Sequence, residues 1–401
     1  MPSDHPPSQR AGTRLPKRGR ALLVVALAIA AFFFFGAAPL LDTIANGSTG
    51  STPRAPSERA LALHETLWVA DLHADSLMWN RAPEARHSRG RVDVPRLLEG
   101  GVALQAFTIV SKVPWGMNVS SNSGQSDMLT LLLVAQAWPP RTWTSLLERA
   151  LYQCQRLHDS AAASGGAFRV IHSRAELERY EEERGANPRS SAGFLGVEGA
   201  QVLEGRLENV QRLFDAGVRM MAPSHFFDTE VGGSAHGEKK IGLTPFGRDV
   251  IREMERLGML VDLAHASRRT IDDVLSIAKN PVVFSHTGVS GTCDSPRNIP
   301  DAVLDRTARN GGLVGIGFFE GATCGSDVGA IVRAIRYAVG RIGAEHVALG
   351  SDFDGFVRTP IDAAGLPALT GALLDSGLSE GQIRKIMGLN VRRVLERVLP
   401  P

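Results

Sequence analysis

Residues 242–286, GLTPFGRDVIREMERLGMLVDLAHASRRTIDDVLSIAKNPVVFSH, contain two helical patterns, and a short apolar strand pattern follows each of them. Thr244 can cap the first helix and Gly258 can end it, which are common start and stop signals. Ser267 can cap the second helix, and Pro281 ends it. Both strand patterns then end in a histidine. Strands that alternate with helices predict a parallel sheet.

The same alternation extends along most of the chain. Eight strands are predicted, at residues 67–73, 103–110, 192–198, 218–225, 259–265, 281–286, 312–318 and 346–352. This number and order predict an α/β fold of the (β/α)₈ TIM-type barrel class. About 80 residues separate the second strand from the third, so this connection must contain an insertion. Its irregular first part, residues 111–140, is expected to form a lid or rim.

The N-terminal region predicts a membrane anchor ahead of the barrel. Residues 1–20 hold five basic side chains against one acidic one and are interpreted as a cytoplasmic leader. Residues 21–41 begin with an unbroken run of eighteen apolar residues, at the short end of a membrane span. An uncleaved transmembrane helix is favoured over a cleaved signal segment. Residues 42–58 then read as a flexible linker, and residues 59–401 as the barrel domain, exported to the periplasmic or extracellular side.

Composition and charge limit the functional classes. The chain is 43% hydrophobic and 21% charged, as in ordinary globular proteins. The leader contributes 5 − 1 = +4 to the net charge of +2, so the other 381 residues sum to −2. Such a nearly neutral body predicts no nucleic-acid partner. Three cysteines cannot all pair, so one disulfide is expected in an oxidising compartment.

Side chains that can bind metal ions fall at or just after the carboxyl ends of six predicted strands. They are His73, Asp75, Glu198, His225, His265, His286 and Asp352. The carboxyl ends of barrel strands converge on one face, so these side chains are expected to lie close together. Imidazole and carboxylate groups suit borderline divalent ions such as zinc. The pattern therefore predicts a metal site on this face.

Spacing indicates how five of these residues could hold two ions. His73 and Asp75 are two positions apart, which directs both side chains to one side of an extended segment. Glu198 has two oxygens and can bridge ions about 3.5–4 Å apart. His265 and His286 end adjacent strands and can bind the second ion.

Each residue also has an ordinary structural interpretation. A histidine at a strand end often only makes a hydrogen bond, and Glu198 could simply close a turn. Asp352, or more readily Asp354, could cap a helix. His236 lies in a glycine-rich loop that could reach the rim, and no role is assigned to it. The metal site is favoured because seven suitable groups fall on one predicted face.

Several segments together resemble a known family. They are DLHADSL at 71–77, GVEGA at 196–200, GLTPFGRDVIREMERLGMLVDLAH at 242–265, VFSHTGV at 283–289, SPRNIPD at 295–301 and GSDFDG at 350–355. From about residue 60 to residue 398, the chain resembles the membrane dipeptidase (renal dipeptidase) family of dizinc peptidases. These peptidases belong to the amidohydrolase-like barrels.

The resemblance implies a zinc-dependent dipeptidase that hydrolyses the peptide bond with a metal-bridging hydroxide. It implies two Zn²⁺ per chain, bridged by Glu198. His225 matches the residue that contacts the scissile carbonyl, and Arg297 matches the one that binds the substrate carboxylate. Asp352 matches the acid/base group. The substrate would be a small dipeptide. Whether the chain forms a homodimer is left open.

Other implications concern cysteines and departures from the family pattern. Cys293 and Cys324 match a disulfide position of exported relatives, which would leave Cys154 free. Gln201 and the stretch FFDTEVGGSAHG at 226–237 depart from the usual pattern, as does the insertion at 111–146. These differences lie near the substrate and bear on specificity more than on chemistry.

Two other functions are weighed against the dipeptidase. One is a barrel metallohydrolase acting on another amide, such as an N-acyl amino acid or a lactam. The other is a non-enzymatic binding module on a degenerate barrel. The second predicts that a metal ligand is missing, yet all five expected ligands are present in the sequence.

Overall fold

A computed structural model describes residues 17–401, so most of the predicted leader lies outside the described residues. These residues form nine parallel strands: β1 Val69–Ala74, β2 Val102–Val110, β3 Phe168–Val170, β4 Ser191–Glu198, β5 Val218–Met221, β6 Leu260–Val261, β7 Val283–Thr287, β8 Leu313–Ile316 and β9 Val347–Leu349. Their order in the sheet is β6-β5-β4-β2-β1-β9-β8-β7, and β3 pairs with β4 outside this path.

The two ends of this path meet and close the barrel. Asp262, which directly follows β6, forms a parallel bridge with Val283 of β7. The Leu263 N–H also donates a hydrogen bond to the carbonyl of Val283, at 2.7 Å. Eight strands thus form a closed ring, which confirms the predicted (β/α)₈ architecture. The short ninth strand, β3, was not predicted.

Several strands are shorter than the sequence predicts. The segment 259–265 contributes only Leu260 and Val261 to the sheet, and 346–352 contributes only Val347–Leu349. The chain turns away from the strand direction before His265 and Asp352, which have φ values of 64° and 62°. Such left-handed conformations do not fit a strand. The extra predicted residues instead form loops at the carboxyl ends of the strands.

Helices surround the ring. The first helix of the opening segment begins and ends as predicted, and the second begins after Ser267 as predicted but ends at Ile277, four residues before Pro281, because Ala278 adopts an extended conformation. The helices are α1 Lys17–Ala31, α2 Ala38–Ala45, α3 Glu58–Glu65, α4 Val94–Glu99, α5 Leu129–Ala135, α6 Arg141–Thr144, α7 Leu146–Ala163, α8 Arg174–Ala186, α9 Glu208–Asp215, α10 Pro245–Leu257, α11 Arg268–Ile277, α12 Asp301–Asn310, α13 Glu320–Thr323, α14 Val328–Ile342, α15 Leu366–Asp375, α16 Glu380–Arg384 and α17 Asn390–Val398. Thr244 accepts a hydrogen bond from the Gly247 N–H at the start of α10, and Gly258 ends it with φ 76°.

The N-terminal helix is continuous from α1 to α2, with a π-helical turn at Phe32–Ala37 between them. Its 29 residues, Lys17–Ala45, are long and apolar enough to cross a membrane, and a signal sequence has the same properties. The following residues, predicted as a flexible linker, contact the barrel instead. Asp42 and Asn46 are each only 2% exposed, and Ser48 bridges Thr359. Composition alone could not reveal this, because the barrel partners of Asp42 and Asn46 lie between 39 and 310 positions away in the chain.

The insertion between β2 and β4 covers one side of the face formed by the carboxyl ends of the strands. It carries α5 to α8 and β3, and its first part passes beside the strand ends. The Asn122 N–H donates to the carbonyl of His236 at 2.7 Å, which ties this part to the glycine-rich loop. The Nδ1 atom of His236 lies 2.7 Å from the carbonyl oxygen of Val119. His236, assigned no role from the sequence, thus holds the insertion at the rim.

Candidate active site

The carboxyl ends of the barrel strands bring all eight residues singled out from the sequence into one buried cluster. The members are His73, Asp75, Glu198, His225, His265, His286, Arg297 and Asp352, and none is more than 8% exposed. Seven follow or end strands of the ring. Arg297 comes from the loop after β7 and reaches the cluster from the side.

The Glu198 carboxylate lies at the centre of four imidazole rings. Its Oε1 is 2.9 Å from Nε2 of His265, 3.2 Å from Nε2 of His286 and 3.7 Å from Nε2 of His73. Its Oε2 lies 3.2 Å from Nε2 of His225. One carboxylate therefore contacts ligand atoms that belong to four different strand ends.

The His73 ring links this centre to two further carboxylates. Its Nε2 is 3.4 Å from Oδ1 of Asp75 and 4.0 Å from Oδ1 of Asp352. Three groups of ligand atoms lie close enough together to hold a metal ion, and they share members. The groups are His73, Glu198 and His286; Glu198, His225 and His265; and His73, Asp75 and Asp352.

Unsatisfied polar atoms show that this cluster suits cations. Nε2 of His73 and Oε1 of Glu198 are buried without a hydrogen-bond partner. Nε2 of His265 and Nε2 of His286 are only 2.9 Å apart, where one proton at most can lie between them. Burying such atoms unpaired is unfavourable, and a cation that several lone pairs share relieves it. Imidazole and carboxylate are also the donors that zinc-like ions prefer.

The hydroxyl of Ser285 orients two of the histidines. It donates to Oδ2 of Asp262 at 2.6 Å, and Nδ1 of both His73 and His286 lies 2.9 Å from the same oxygen. Because the single hydroxyl proton is used by Asp262, both rings must donate from Nδ1. In the neutral form of each ring, Nε2 is then left with a lone pair that faces Glu198. Ligand histidines in metalloproteins are commonly oriented in this way.

A second set of buried hydrogen bonds orients the carboxylates and the first strand. The Thr108 hydroxyl donates to Oδ1 of Asp75 at 2.6 Å. Asp71 accepts from the backbone N–H of Ser351 at 2.8 Å and from its hydroxyl at 2.5 Å, which ties β1 to the segment after β9. Sequence reasoning missed these residues and Ser285. The available signal was a polar residue inside a strand that is otherwise apolar.

Burial and charge set the protonation of the cluster. Burial lowers the pKa of His225, His265 and His286 well below the usual histidine value, so these rings are neutral. Burial also lowers the pKa of His73, but the carboxylates of Asp75 and Glu198 outweigh it and raise the value to about 10. The negative potential that would hold a proton on His73 also favours a metal cation in its place.

The two aspartates in the loop after β9 do not have the helix-capping role that was considered from the sequence. Neither Asp352 nor Asp354 caps a helix, because the next helical turn begins at Ala363. Asp352 points into the cluster. Asp354 is fully buried and accepts hydrogen bonds at 2.7 Å from the Ser76 hydroxyl and at 2.7 Å from the Arg91 N–H. Asp354 therefore fixes the loop rather than a helix end.

A cavity of about 240 Å³ opens onto the cluster. Its floor is formed by the polar groups and its walls are mostly apolar. The wall residues include Val110, Val113, Met117, Val119, Phe226, Phe319, Phe356 and Val357. Met117 and Val119 belong to the insertion. This small volume fits a compact molecule with few side chains, and an extended polypeptide would not fit inside it.

A disulfide lies beside this cavity. Cys293 and Cys324 are paired, with Cα atoms 5.3 Å apart, and Cys154 is free and buried. This is the pairing that the resemblance implied. Through it, the loop that carries Arg297 is joined to the α13 region, which supplies Phe319 to the cavity wall.

Comparisons with known proteins identify the family of this chain. The model of the membrane dipeptidase family, peptidase family M19, matches residues 57–399. Dipeptidase tcpJ of Claviceps purpurea is 32% identical over 319 residues, which are 77% of this chain and 69% of that protein. An uncharacterized dipeptidase of Schizosaccharomyces pombe is 35% identical over 322 residues, 77% of this chain and 73% of its own.

Solved structures show the same fold. A dipeptidase described as a metallopeptidase of family M19 aligns with a TM-score of 0.67 and 27% identity, covering 84% of this chain and all of its own. A metallopeptidase from Rhodobacter sphaeroides, bound to a phosphinate mimic of the dipeptide L-Ala-D-Ala, aligns with a TM-score of 0.68 and 26% identity. That alignment covers 83% of this chain and 99% of the other. The chain therefore belongs to the membrane dipeptidase family, peptidase family M19, and is a dipeptidase of that metallopeptidase family.

Proposed function

We propose that the chain binds two zinc ions and uses them to hydrolyse dipeptides. His73 and Asp75 would hold one ion, His265 and His286 the other, and Glu198 would bridge the two. The position of Oε1 of Glu198, within 3.7 Å of three imidazole Nε2 atoms, carries this proposal. When bound, the ions would supply Lewis-acid chemistry by acidifying a water molecule and polarising the substrate carbonyl.

Asp352 is proposed to carry the proton during this reaction. Its carboxylate lines the cavity and faces His73. Burial, partly offset by the charge of His73, raises its pKa to about 8. A carboxyl group with a pKa near neutrality can accept a proton from the attacking water and pass it to the leaving amine.

His225 and Arg297 are proposed to bind the substrate. His225 lies on the Oε2 side of Glu198, with its ring centroid 4.6 Å from that of His265, and can donate a hydrogen bond to the scissile carbonyl oxygen. Arg297 donates one hydrogen bond from Nη2 to the carbonyl of His286, which fixes its guanidinium at the cavity. Its planar fork suits the free carboxylate of a dipeptide.

Replacing Arg297 with alanine should raise KM for dipeptides by about 100-fold, because a charged hydrogen-bond pair is lost. Steady-state kinetics on a dipeptide would measure this. The matched control is the same dipeptide with an amidated C-terminus, for which wild type and variant should have similar KM values. An unchanged KM for the free dipeptide would remove Arg297 from the carboxylate site.

Metal analysis and a substrate panel test the whole proposal. The purified chain should contain two zinc ions, lose activity on chelation and regain it when zinc is added. It should cleave L-L dipeptides and L-Ala-D-Ala far faster than N-acyl amino acids or a lactam. The D-residue substrate is included because a relative binds a mimic of it. A preference for the acylated substrates would support the alternative amide hydrolase.

The position of the chain at the membrane belongs to the same proposal. We infer that residues 21–41 anchor the protein and that residues 59–401 act on the exported side. The exposed apolar surface of the N-terminal helix and the Cys293–Cys324 disulfide support this arrangement, since disulfides persist in oxidising compartments. The domain boundary at residue 58 and a homodimer stay predictions.

A further inference from the structure

We propose that residues 42–49, here called the juxtamembrane segment, hold the active-site loop in its working conformation. The active-site loop is defined as residues 352–359. In this view Asp42 and Asn46 are positioning residues for Asp352, although they lie outside the cavity. The inference rests on the proposed role of Asp352 as the proton carrier.

Asn46 makes the most direct contact between the two segments. Its Oδ1 accepts a hydrogen bond from the backbone N–H of Phe356 at 2.9 Å. Its Nδ2 donates to Oδ1 of Asp42 at 2.9 Å, one helical turn earlier, and its own carbonyl accepts from Nε of Arg91 at 3.0 Å. Asn46 itself is buried; its bond to Asp42 is buried, and its bonds to Phe356 and Arg91 are partly buried.

Asp42 reaches the same loop through a buried arginine. Nε of Arg81 lies 2.9 Å from Oδ2 of Asp42, and Nη2 of Arg81 lies 3.0 Å from Oδ2 of Asp354. All three side chains are at most 3% exposed. Removing one member of such a buried set leaves the others with unpaired charge, which is strongly unfavourable. The Arg81 guanidinium therefore couples the end of α2 to a residue two positions from Asp352.

The far end of the active-site loop is held by backbone contacts. The Thr49 N–H donates to the carbonyl of Thr359 at 3.2 Å, and the Thr359 N–H donates to the carbonyl of Gly47 at 3.4 Å. Nε of Arg358 donates to the carbonyl of Ser48 at 2.9 Å. The juxtamembrane segment thus contacts the second half of the loop directly, from Phe356 to Thr359, and reaches Asp354 through Arg81.

The loop needs such support because its backbone is strained. Asp352, Asp354 and Phe356 have φ values of 62°, 65° and 60°, a region that residues with a side chain rarely adopt. Such conformations persist where the surroundings hold them in place. Asp352, Phe356 and Val357 of this loop also line the cavity. A relaxed loop would therefore move both the proposed proton carrier and part of the substrate wall.

The test uses the full chain in detergent with Asn46→Ala. We expect kcat for a dipeptide to fall by about 10-fold, because a small displacement of a reacting group is costly, while KM stays within about twofold. Bound zinc should remain as in the wild type. Hydrogen–deuterium exchange at the Phe356 amide should become at least about 10-fold faster, since this N–H loses its acceptor. Asp42→Asn should change kcat and exchange in the same direction.

Thr43→Ala is the matched control. Thr43 lies on the same helix and is exposed, and within residues 17–401 its hydroxyl bonds only to the carbonyl of Pro39. It should leave both kcat and amide exchange unchanged. Wild-type kinetics and exchange in both Asn46→Ala and Asp42→Asn would overturn the inference. The exchange readout does not need activity, so it still decides the matter if the proposed zinc peptidase reaction itself fails.

Discussion

Asp352→Asn is expected to reduce kcat for dipeptides by about 10³-fold, within the range that general acid–base groups contribute. The amide that replaces the carboxylate cannot accept a proton from water or return it to the leaving amine. Asparagine has nearly the same shape, and Asp352 is outside the five proposed ligands. The variant should therefore still contain two zinc ions. Single-turnover kinetics together with metal analysis would measure both quantities.

The control for Asp352→Asn is Asp249→Asn, the same chemical change at an exposed position on α10. It should leave rate and metal content unchanged. If Asp352→Asn kept a rate within about tenfold of wild type, proton transfer would have to be assigned to another group. If the variant instead lost its zinc, Asp352 would have to be counted among the ligands, as its 4.0 Å distance from Nε2 of His73 would allow.

Glu198→Gln should abolish activity in a different way, by removing the bound metal. The substitution keeps the size of the side chain but removes its negative charge and one ligand oxygen. Because Glu198 is proposed to bridge both ions, zinc content should fall from two ions per chain to less than one. Dipeptide turnover should drop by about 10³-fold or more, since both the Lewis acid and the acidified water are lost.

Glu230→Gln provides the comparison for this second variant. Glu230 is exposed at the rim of the same face, so its loss should alter neither zinc content nor rate. Retention of two tightly bound ions in Glu198→Gln would contradict the bridging role. Metal content thus distinguishes Asp352→Asn from Glu198→Gln, although both variants are expected to be nearly inactive.

The sequence predicted the barrel and the cluster because both follow from local patterns. Helix caps at Thr244 and Ser267 and apolar strands that end in His265 and His286 are readable over a few residues. Convergence of the strand ends is then a property of every parallel barrel. It brings together residues as distant as His73 and Asp352 without knowledge of any particular contact.

What the sequence could not predict depends on contacts between strands or between distant segments. The shared hydroxyl of Ser285 requires the register of β7 against both β1 and Asp262. The left-handed turns at His265 and Asp352 shortened two strands, and aspartate or histidine in a short apolar run gives no sign of them. The burial of Asp42 and Asn46 was hidden by the linker-like composition around them, since their partners Arg81 and Phe356 belong to the barrel.

Two criteria for the start of this enzyme, the family match and the buried contacts, give different residues because of the hydrogen bonds of Asp42 and Asn46. The shared family region starts at residue 57, so by common ancestry the enzyme begins there. By its buried contacts, it begins about fifteen residues earlier, at Asp42. A segment that precedes the family match thus contacts a loop that lies within it. Trimming the chain to the region shared with its relatives would expose the Phe356 N–H and leave Arg81 beside Asp354 without its second carboxylate.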